Sequence, residues 1–302
     1  MMKCLPSKEA FLGLEFENSV SYEHAKAVII PFGLERSVSY GAGTAKGPAA
    51  MIQASHELEL FDETLWCEPY HHINVVTLEE PIIENDVSQA LKQLETLVGR
   101  VLDDKKFPFV FGGEHSITAG SIRPFVKKYE HIAILHFDAH ADLRDGYHGE
   151  YYSHASVIRR CLDHPNVEVV SVGVRNISMG EISFFEANRN RIHIYWAKNK
   201  KSWNVHEMTS HLKNRPIYLT FDVDGFDTSL MPATGTPEPD GLFWHEVQEI
   251  ITVTSKMGTI VGADITELAP IQNFHSCDFL AAKLAYKILS LAFTTSISNV
   301  FT

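Results

Sequence analysis

The stretch HFDAHADLRD, residues His136 to Asp145, sets four ionisable side chains at every second position: His136, Asp138, His140 and Asp142. Such alternation marks a strand with one polar face, and it also aims several donors at one point. Three other stretches place similar residues directly after an apolar run. GGEHS brings His115 after FPFVF, DVDGFD brings Asp222, Asp224 and Asp227 after PIYLTF, and TELAP brings Glu267 after TIVGADI. The candidate metal ligands are His115, Asp138, His140, Asp142, Asp222 and Asp224. Four carboxylates crowded into a partly desolvated site repel one another, and bound divalent cations remove that cost. Six donors exceed what one tetrahedral zinc needs, and no thiolate is among them. A carboxylate-rich set suits Mn²⁺ better than Zn²⁺ or Cu²⁺. If some aspartates bridge, six side chains serve two ions roughly 3.5–4 Å apart, which activate water at neutral pH and so predict hydrolysis. Glu267 at a neighbouring strand end suggests that a cationic group is held there.

These residues need elements that bring them together. Eight short apolar runs read as strands: AKAVIIPF, INVVTL, FPFVFG, IAILHF, EVVSVG, IHIYW, PIYLTF and TIVGAD. Most are continuously apolar, as in a parallel sheet covered on both faces. Between them lie helical patterns, clearest in VSQALKQLETLVGRVLDD and in CDFLAAKLAYKILSLAF. The alternation predicts a doubly wound α/β sheet, which binds ligands at the carboxyl ends of its strands. His136 is expected to be a strand residue that binds nothing. No repeat, linker or composition shift divides the chain, so residues 1–302 are read as a single domain.

Composition sets the remaining bounds. The chain is 45% hydrophobic and 21% charged, with a formal net charge of -12. That balance argues against a nucleic-acid or anionic-membrane partner, either of which would want a basic patch. No run spans a bilayer, and the first residues, MMKCLPSKEAFLGLEFENS, hold no apolar signal core. Cys4, Cys67, Cys161 and Cys277 form no close pair, which fits core cysteines in a reducing cytoplasm.

The motifs together resemble the ureohydrolases, the family of arginase and agmatinase. Its patterns look like G-G-D-H-S, D-A-H-x-D, D-x-D-x-x-D-P, a G-T-P segment and a late D-x-x-E. Here they read GGEHS, DAHAD, DVDGFDTS, ATGTPEPDGL and DITELAP, in order along most of the chain. The resemblance implies a three-layer α/β/α fold with a parallel sheet of about eight strands. It implies a binuclear manganese site. One ion would take His115, Asp138, Asp142 and Asp222, and the other Asp138, His140, Asp222 and Asp224, with Asp138 and Asp222 bridging. Glu267 would hold the substrate guanidinium, with Thr236 orienting it. His154, in YYSHAS, would relay protons, and Asp142 would pass one to the leaving amine after attack by a metal-bridging hydroxide. The resemblance also implies a homo-oligomer, a trimer or hexamer.

Several positions depart from the commoner pattern. Glu114 replaces Asp before His115, Thr228 and Ser229 replace Pro-Ala, and Thr266 replaces an apolar residue before Glu267. Arg144 stands where arginase-like members keep an Asn, and EYYSHAS lacks their Ser-Gly-Asn segment. DAHADLRD with YSHA looks more like bacterial and archaeal agmatinases. The expected substrate is therefore agmatine, cleaved to putrescine and urea, with Asp145 and Glu150 favouring the cation. Aminopropylagmatine, guanidinobutyrate, arginine and formiminoglutamate are the alternatives.

Overall fold

The computed structural model describes residues 2–14 and 20–294. All eight apolar runs are strands: β1 (Ala27–Phe32), β2 (Val75–Thr77), β3 (Phe107–Gly112), β4 (Ile132–Phe137), β5 (Val167–Val172), β6 (Ile192–Tyr195), β7 (Pro216–Asp222) and β8 (Thr259–Thr266). They form one sheet in the order β2-β1-β3-β8-β7-β4-β5-β6, and every pairing is parallel. Parallel strands share one carboxyl edge. His115 follows β3, Glu267 follows β8, Asp222 ends β7 and Asp138 follows β4. Those are the four contiguous central strands, so one edge gathers every candidate ligand segment. The chain also reverses its direction of travel across the sheet here, the usual place for a ligand crevice.

The helices are α1 (Gly47–Ser55), α2 (Tyr70–Ile73), α3 (Val87–Asp103), α4 (Thr118–Ser121), α5 (Arg123–Lys128), α6 (Val157–Leu162), α7 (Met179–Ala187), α8 (Val205–Ser210), α9 (Trp244–Met257) and α10 (Ser276–Ala292). Continuous burial of the strands follows from a core on each face. Val28, Ile30 and Phe32 of β1 join Ala90, Leu91 and Leu94 of α3, Phe125 of α5 and Val157 of α6. Ala27 and Ile29 join Met51 of α1, Val247 and Ile250 of α9, and Leu284 and Ile288 of α10 on the other face. The amphipathic spacing of α3 meets this demand, and Asp86 caps it by accepting from the Gln89 N–H. Among the described residues no helix is long and apolar enough to cross a membrane.

The turn after β3 is the tightest link between scaffold and site. Gly113 N–H donates to Phe32, and Gly113 O accepts from Glu267 N–H, so one residue ties β1, β3 and β8 together. A Cβ at Gly113 would meet the Leu34 carbonyl oxygen at 2.1 Å. Gly113→Ala must therefore push backbone against backbone, and should cost roughly 1–3 kcal/mol. A lowered urea midpoint at unchanged slope is the expected result; an unchanged midpoint would mean that the turn has slack.

Candidate metal centre

The alternation in HFDAHAD does not continue as a strand. β4 stops at Phe137, and Asp142 takes a left-handed backbone with φ 51°. Glu267 is also left-handed, with φ 65°. Non-glycine residues seldom hold this conformation, and they concentrate where a side chain must be aimed.

The D-x-H and D-x-D spacings have two tasks. Asp138 Oδ1 accepts the His140 N–H, and Asp222 Oδ1 accepts the Asp224 N–H at 2.8 Å. Each aspartate spends one oxygen on the turn that follows it, an Asx-type geometry that orients the other. The Oδ2 atoms of Asp138, Asp142 and Asp222 lie 3.1, 3.2 and 3.3 Å from His115 Nδ1. On the far side of Asp138, His140 Nδ1 lies 3.4 Å from Asp138 Oδ1 and 3.0 Å from Asp224 Oδ2. The six expected ligands thus form two adjoining sets, and Asp138 belongs to both.

Hydroxyl bookkeeping behind His115 shows what this cluster requires. Tyr218 and Thr118 both donate to Asp264 Oδ2, at 2.7 and 2.8 Å. Thr118 has then used its proton, so Thr220, 3.2 Å away, donates to Thr118. Thr220 can only accept from His115 Nε2, 2.8 Å away. The Nδ1 lone pair of His115 therefore faces three carboxylates, and this buried nitrogen makes no hydrogen bond. Burial favours the neutral ring, yet Asp138, Asp142 and Asp222 hold its pKa well above the usual value. A positive charge is wanted between them. No N–H···O geometry is met at Nδ1, so a cation suits the position better than a proton.

The carboxylates respond in the same sense. Burial and then Asp138 push Asp142 up to about 7, and burial with Asp224 and Asp138 raises Asp222 well above the carboxylate range. Asp138 goes the other way: burial opposes its charge, but His115, His136 and His140 hold it well below. Protons thus compete with cations for Asp142 and Asp222, and metal binding releases them. Metal affinity should fall as pH drops through about 7, which calorimetry in buffers of different ionisation heat can follow. A pH-independent affinity would contradict this. Thr220→Val should cost about 10–100-fold in metal affinity by freeing the His115 tautomer. An unchanged affinity would show that the hydroxyl chain orients nothing.

His136 is indeed a buried strand residue, but it does not stand idle. Its Nε2 lies 2.8 Å from Asp138 Oδ2, and its Nδ1 lies 3.0 Å from the Ser171 hydroxyl. The nitrogen facing a carboxylate must carry its proton, so His136 steadies the shared aspartate as a donor. Its two-residue spacing from Asp138 was the available signal. Glu267 is buried, and its Oε1 accepts the His115 N–H at 2.7 Å. That bond orients the carboxylate; Thr236 lines the cavity, and no hydrogen bond joins it to Glu267 among the described residues. Burial, with Glu114 nearby, pushes Glu267 up to about 8.

A cavity of about 350 Å³ opens over the cluster, lined by His140, Asp142, His154, Asp222, Asp224, Thr236 and Glu267. Asp145 and Glu150, expected to favour a cation there, do not line it. Asp145 pairs with Arg159 and Arg160, and Glu150 accepts the Tyr152 N–H. Two further acids line it, Glu181 and Glu238, which sequence reasoning passed over. Glu181 accepts from Leu143 and Ser178. Of the departures, Ser229 bonds Asp227, which also accepts from Gly241, so Asp227 braces a turn. Thr266 is buried, its hydroxyl at the limit of reach of the Phe221 carbonyl.

Glu168, His193 and His211 also cluster, but at the opposite strand edge. Their imidazoles stack with centroids 3.7 Å apart at 21°. In-plane lone pairs of stacked rings run side by side and do not converge on one ion. Arg215 already pairs with Glu168.

Residues 25–290 match the arginase family. The chain belongs to that family. An N(1)-aminopropylagmatine ureohydrolase of Synechocystis sp. is 33% identical over 287 residues, covering 91% of this chain and 92% of its own. An agmatinase of Bacillus cereus is 33% identical over 268 residues, covering 88% and 91%. The crystal structure of the agmatine ureohydrolase of Thermoplasma volcanium matches with a TM-score of 0.83 at 28% identity, covering 95% of this chain and 94% of that one. The chain is therefore an arginase-family, agmatinase-like hydrolase with that family's parallel-sheet fold, and its His and Asp cluster fits the family's binuclear metal site.

Proposed function

We propose that the chain hydrolyses agmatine to putrescine and urea with two Mn²⁺ ions, acting as a single domain in the cytoplasm. The observation that carries this reading is the His115 lone pair, buried among three carboxylates, two of which, Asp142 and Asp222, line the same cavity as Glu267. His115, Asp138, Asp142 and Asp222 would hold one ion, and Asp138, His140, Asp222 and Asp224 the other, in an oxygen-rich set that suits manganese. Bound there, the ions supply Lewis acidity and an activated water. The protein does the rest. Glu267, held by the His115 N–H, pairs with the substrate guanidinium. A C–O bond forms first at the guanidinium carbon, and the bond from that carbon to the alkyl nitrogen then breaks. Asp142 carries a proton to that departing nitrogen, and His154 exchanges protons with solvent through the cavity. Burial brings His154 down to about 4, which keeps its ring neutral at pH 7.

The tail of the substrate is the finer question. Relatives of similar identity carry the names agmatinase and aminopropylagmatine ureohydrolase. Glu238 supports a cationic tail. It lines the cavity, and its carboxylate has no hydrogen bond or ion pair among the described residues. Its backbone carbonyl accepts from Arg175 at 2.9 Å, and the same guanidinium bonds the carbonyls of Asp224 and Phe226. Arg175 therefore fixes Glu238 relative to the ligand loop. One observation favours a second reading: Arg144 also lines the cavity, over the Tyr147 ring at 5.1 Å, and its guanidinium would suit a guanidino acid such as 4-guanidinobutyrate.

Urea release from a panel of agmatine, aminopropylagmatine, 4-guanidinobutyrate and arginine in Mn²⁺ tests the reading. Glu238→Gln should lower kcat/KM for agmatine about 10-fold, mainly through KM, and leave 4-guanidinobutyrate little changed. Turnover of the guanidino acid alone, lost in Arg144→Gln, would replace agmatine with the second reading. The unpaired state of all four cysteines fits a reducing compartment. A trimer or hexamer belongs to the same proposal, and light scattering checks it.

A further inference from the structure

Glu114, where the family pattern has Asp, is fully buried. Its carboxylate gathers four donors. Oε2 accepts the backbone N–H groups of Arg36 and Ser37, at 2.5 and 2.6 Å. Oε1 accepts the hydroxyls of Ser37 and Ser116, at 2.8 and 2.5 Å. The loop around Ser37 is thereby pinned beside the cluster by a side chain next to a ligand histidine.

Ser37 reaches onward to His154. Its Oγ lies 3.1 Å from His154 Nδ1 and also accepts the His154 backbone N–H at 3.0 Å. The other ring nitrogen, Nε2, lies 2.7 Å from the Ser39 hydroxyl. A hydroxyl has one proton. Ser37 gives its proton to Glu114, so toward the ring it can only accept, and Nδ1 must carry the hydrogen. The lone pair then lies on Nε2, where Ser39, at the cavity wall, donates into it.

We propose that Glu114 and Ser37 are positioning residues that lock His154 as its Nδ1–H tautomer, aiming the Nε2 lone pair through Ser39 at the cavity. In use, Ser39 hands its proton to Nε2 as it takes one from a group in the cavity. The ring becomes imidazolium, the donor loses one proton, and the hydroxyl is restored. The use of that proton rests on the reading above; the tautomer does not.

Nitrogen NMR of ¹⁵N-histidine protein, loaded with diamagnetic Mg²⁺ and assigned by the peak lost in His154→Gln, reads the tautomer directly. The expected wild-type pattern is a protonated Nδ1 and a bare Nε2. Ser37→Ala should mix the tautomers, and Ser37→Thr should restore the single form. In the Mn²⁺ enzyme, Ser37→Ala should lower kcat about 10-fold or more with KM and metal content unchanged. A wild-type ring protonated at Nε2, or a Ser37→Ala ring still locked, would overturn the proposal. So would a loss of metal content and kcat together with the tautomer unmoved, since that marks a purely structural role. Absence of urea release from any guanidine in the wild type would remove the proposed function, while the NMR result would still decide the tautomer.

Discussion

Like charge held out of water is the constraint on which this structure depends. Asp138, Asp142 and Asp222 crowd around a single imidazole nitrogen, all of them buried. Such a group of carboxylates is unstable without compensating positive charge. The opposed shifts of Asp138 and Asp222 express that imbalance. A pair of divalent cations resolves it, and the same charge is what a hydrolase needs beside its substrate. Stability of the cluster and chemistry at the cluster are therefore one demand.

The fold meets that demand through the sheet. Parallel strands deliver their carboxyl ends to one edge, and the order β3-β8-β7-β4 sets the four donor segments side by side. Both faces of the strands are buried, and the left-handed residues Asp142 and Glu267 turn the chain in the segments that follow β4 and β8. The opposite edge shows the contrast. Glu168, His193 and His211 have the residue types of a metal site without convergent lone pairs.

One device recurs at the two histidines that matter most. A buried carboxylate receives a hydroxyl proton, and that hydroxyl oxygen then accepts from an imidazole, directly or through a second hydroxyl. Asp264, Thr118 and Thr220 do this for His115, and Glu114 and Ser37 do it for His154. The direction of each hydroxyl decides which ring nitrogen carries a lone pair. For His115 the lone pair meets the carboxylate cluster; for His154 it meets the cavity. Neutral, hydroxyl-held rings of this kind are specified in geometry without adding charge to a site already crowded with it.

Sequence alone pointed to the strands and their common edge, and to the six side chains and Glu267 that the fold brings together there. Apolar runs followed at once by charged residues leave few ways to bury the one and gather the other. It also identified Glu114 and Arg144 as unusual. What each side chain touches was decided only by tertiary structure, because some partners lie far apart in the chain and near ones meet only when the backbone turns them together. Glu267 is oriented by the His115 N–H and not by Thr236, Asp145 and Glu150 turn away from the cavity that Glu238 lines, and His136 supports Asp138. Spacing along a strand end shows which residues arrive together. Hydrogen-bond direction, which sets tautomers and aims lone pairs, exists only once the chain has folded.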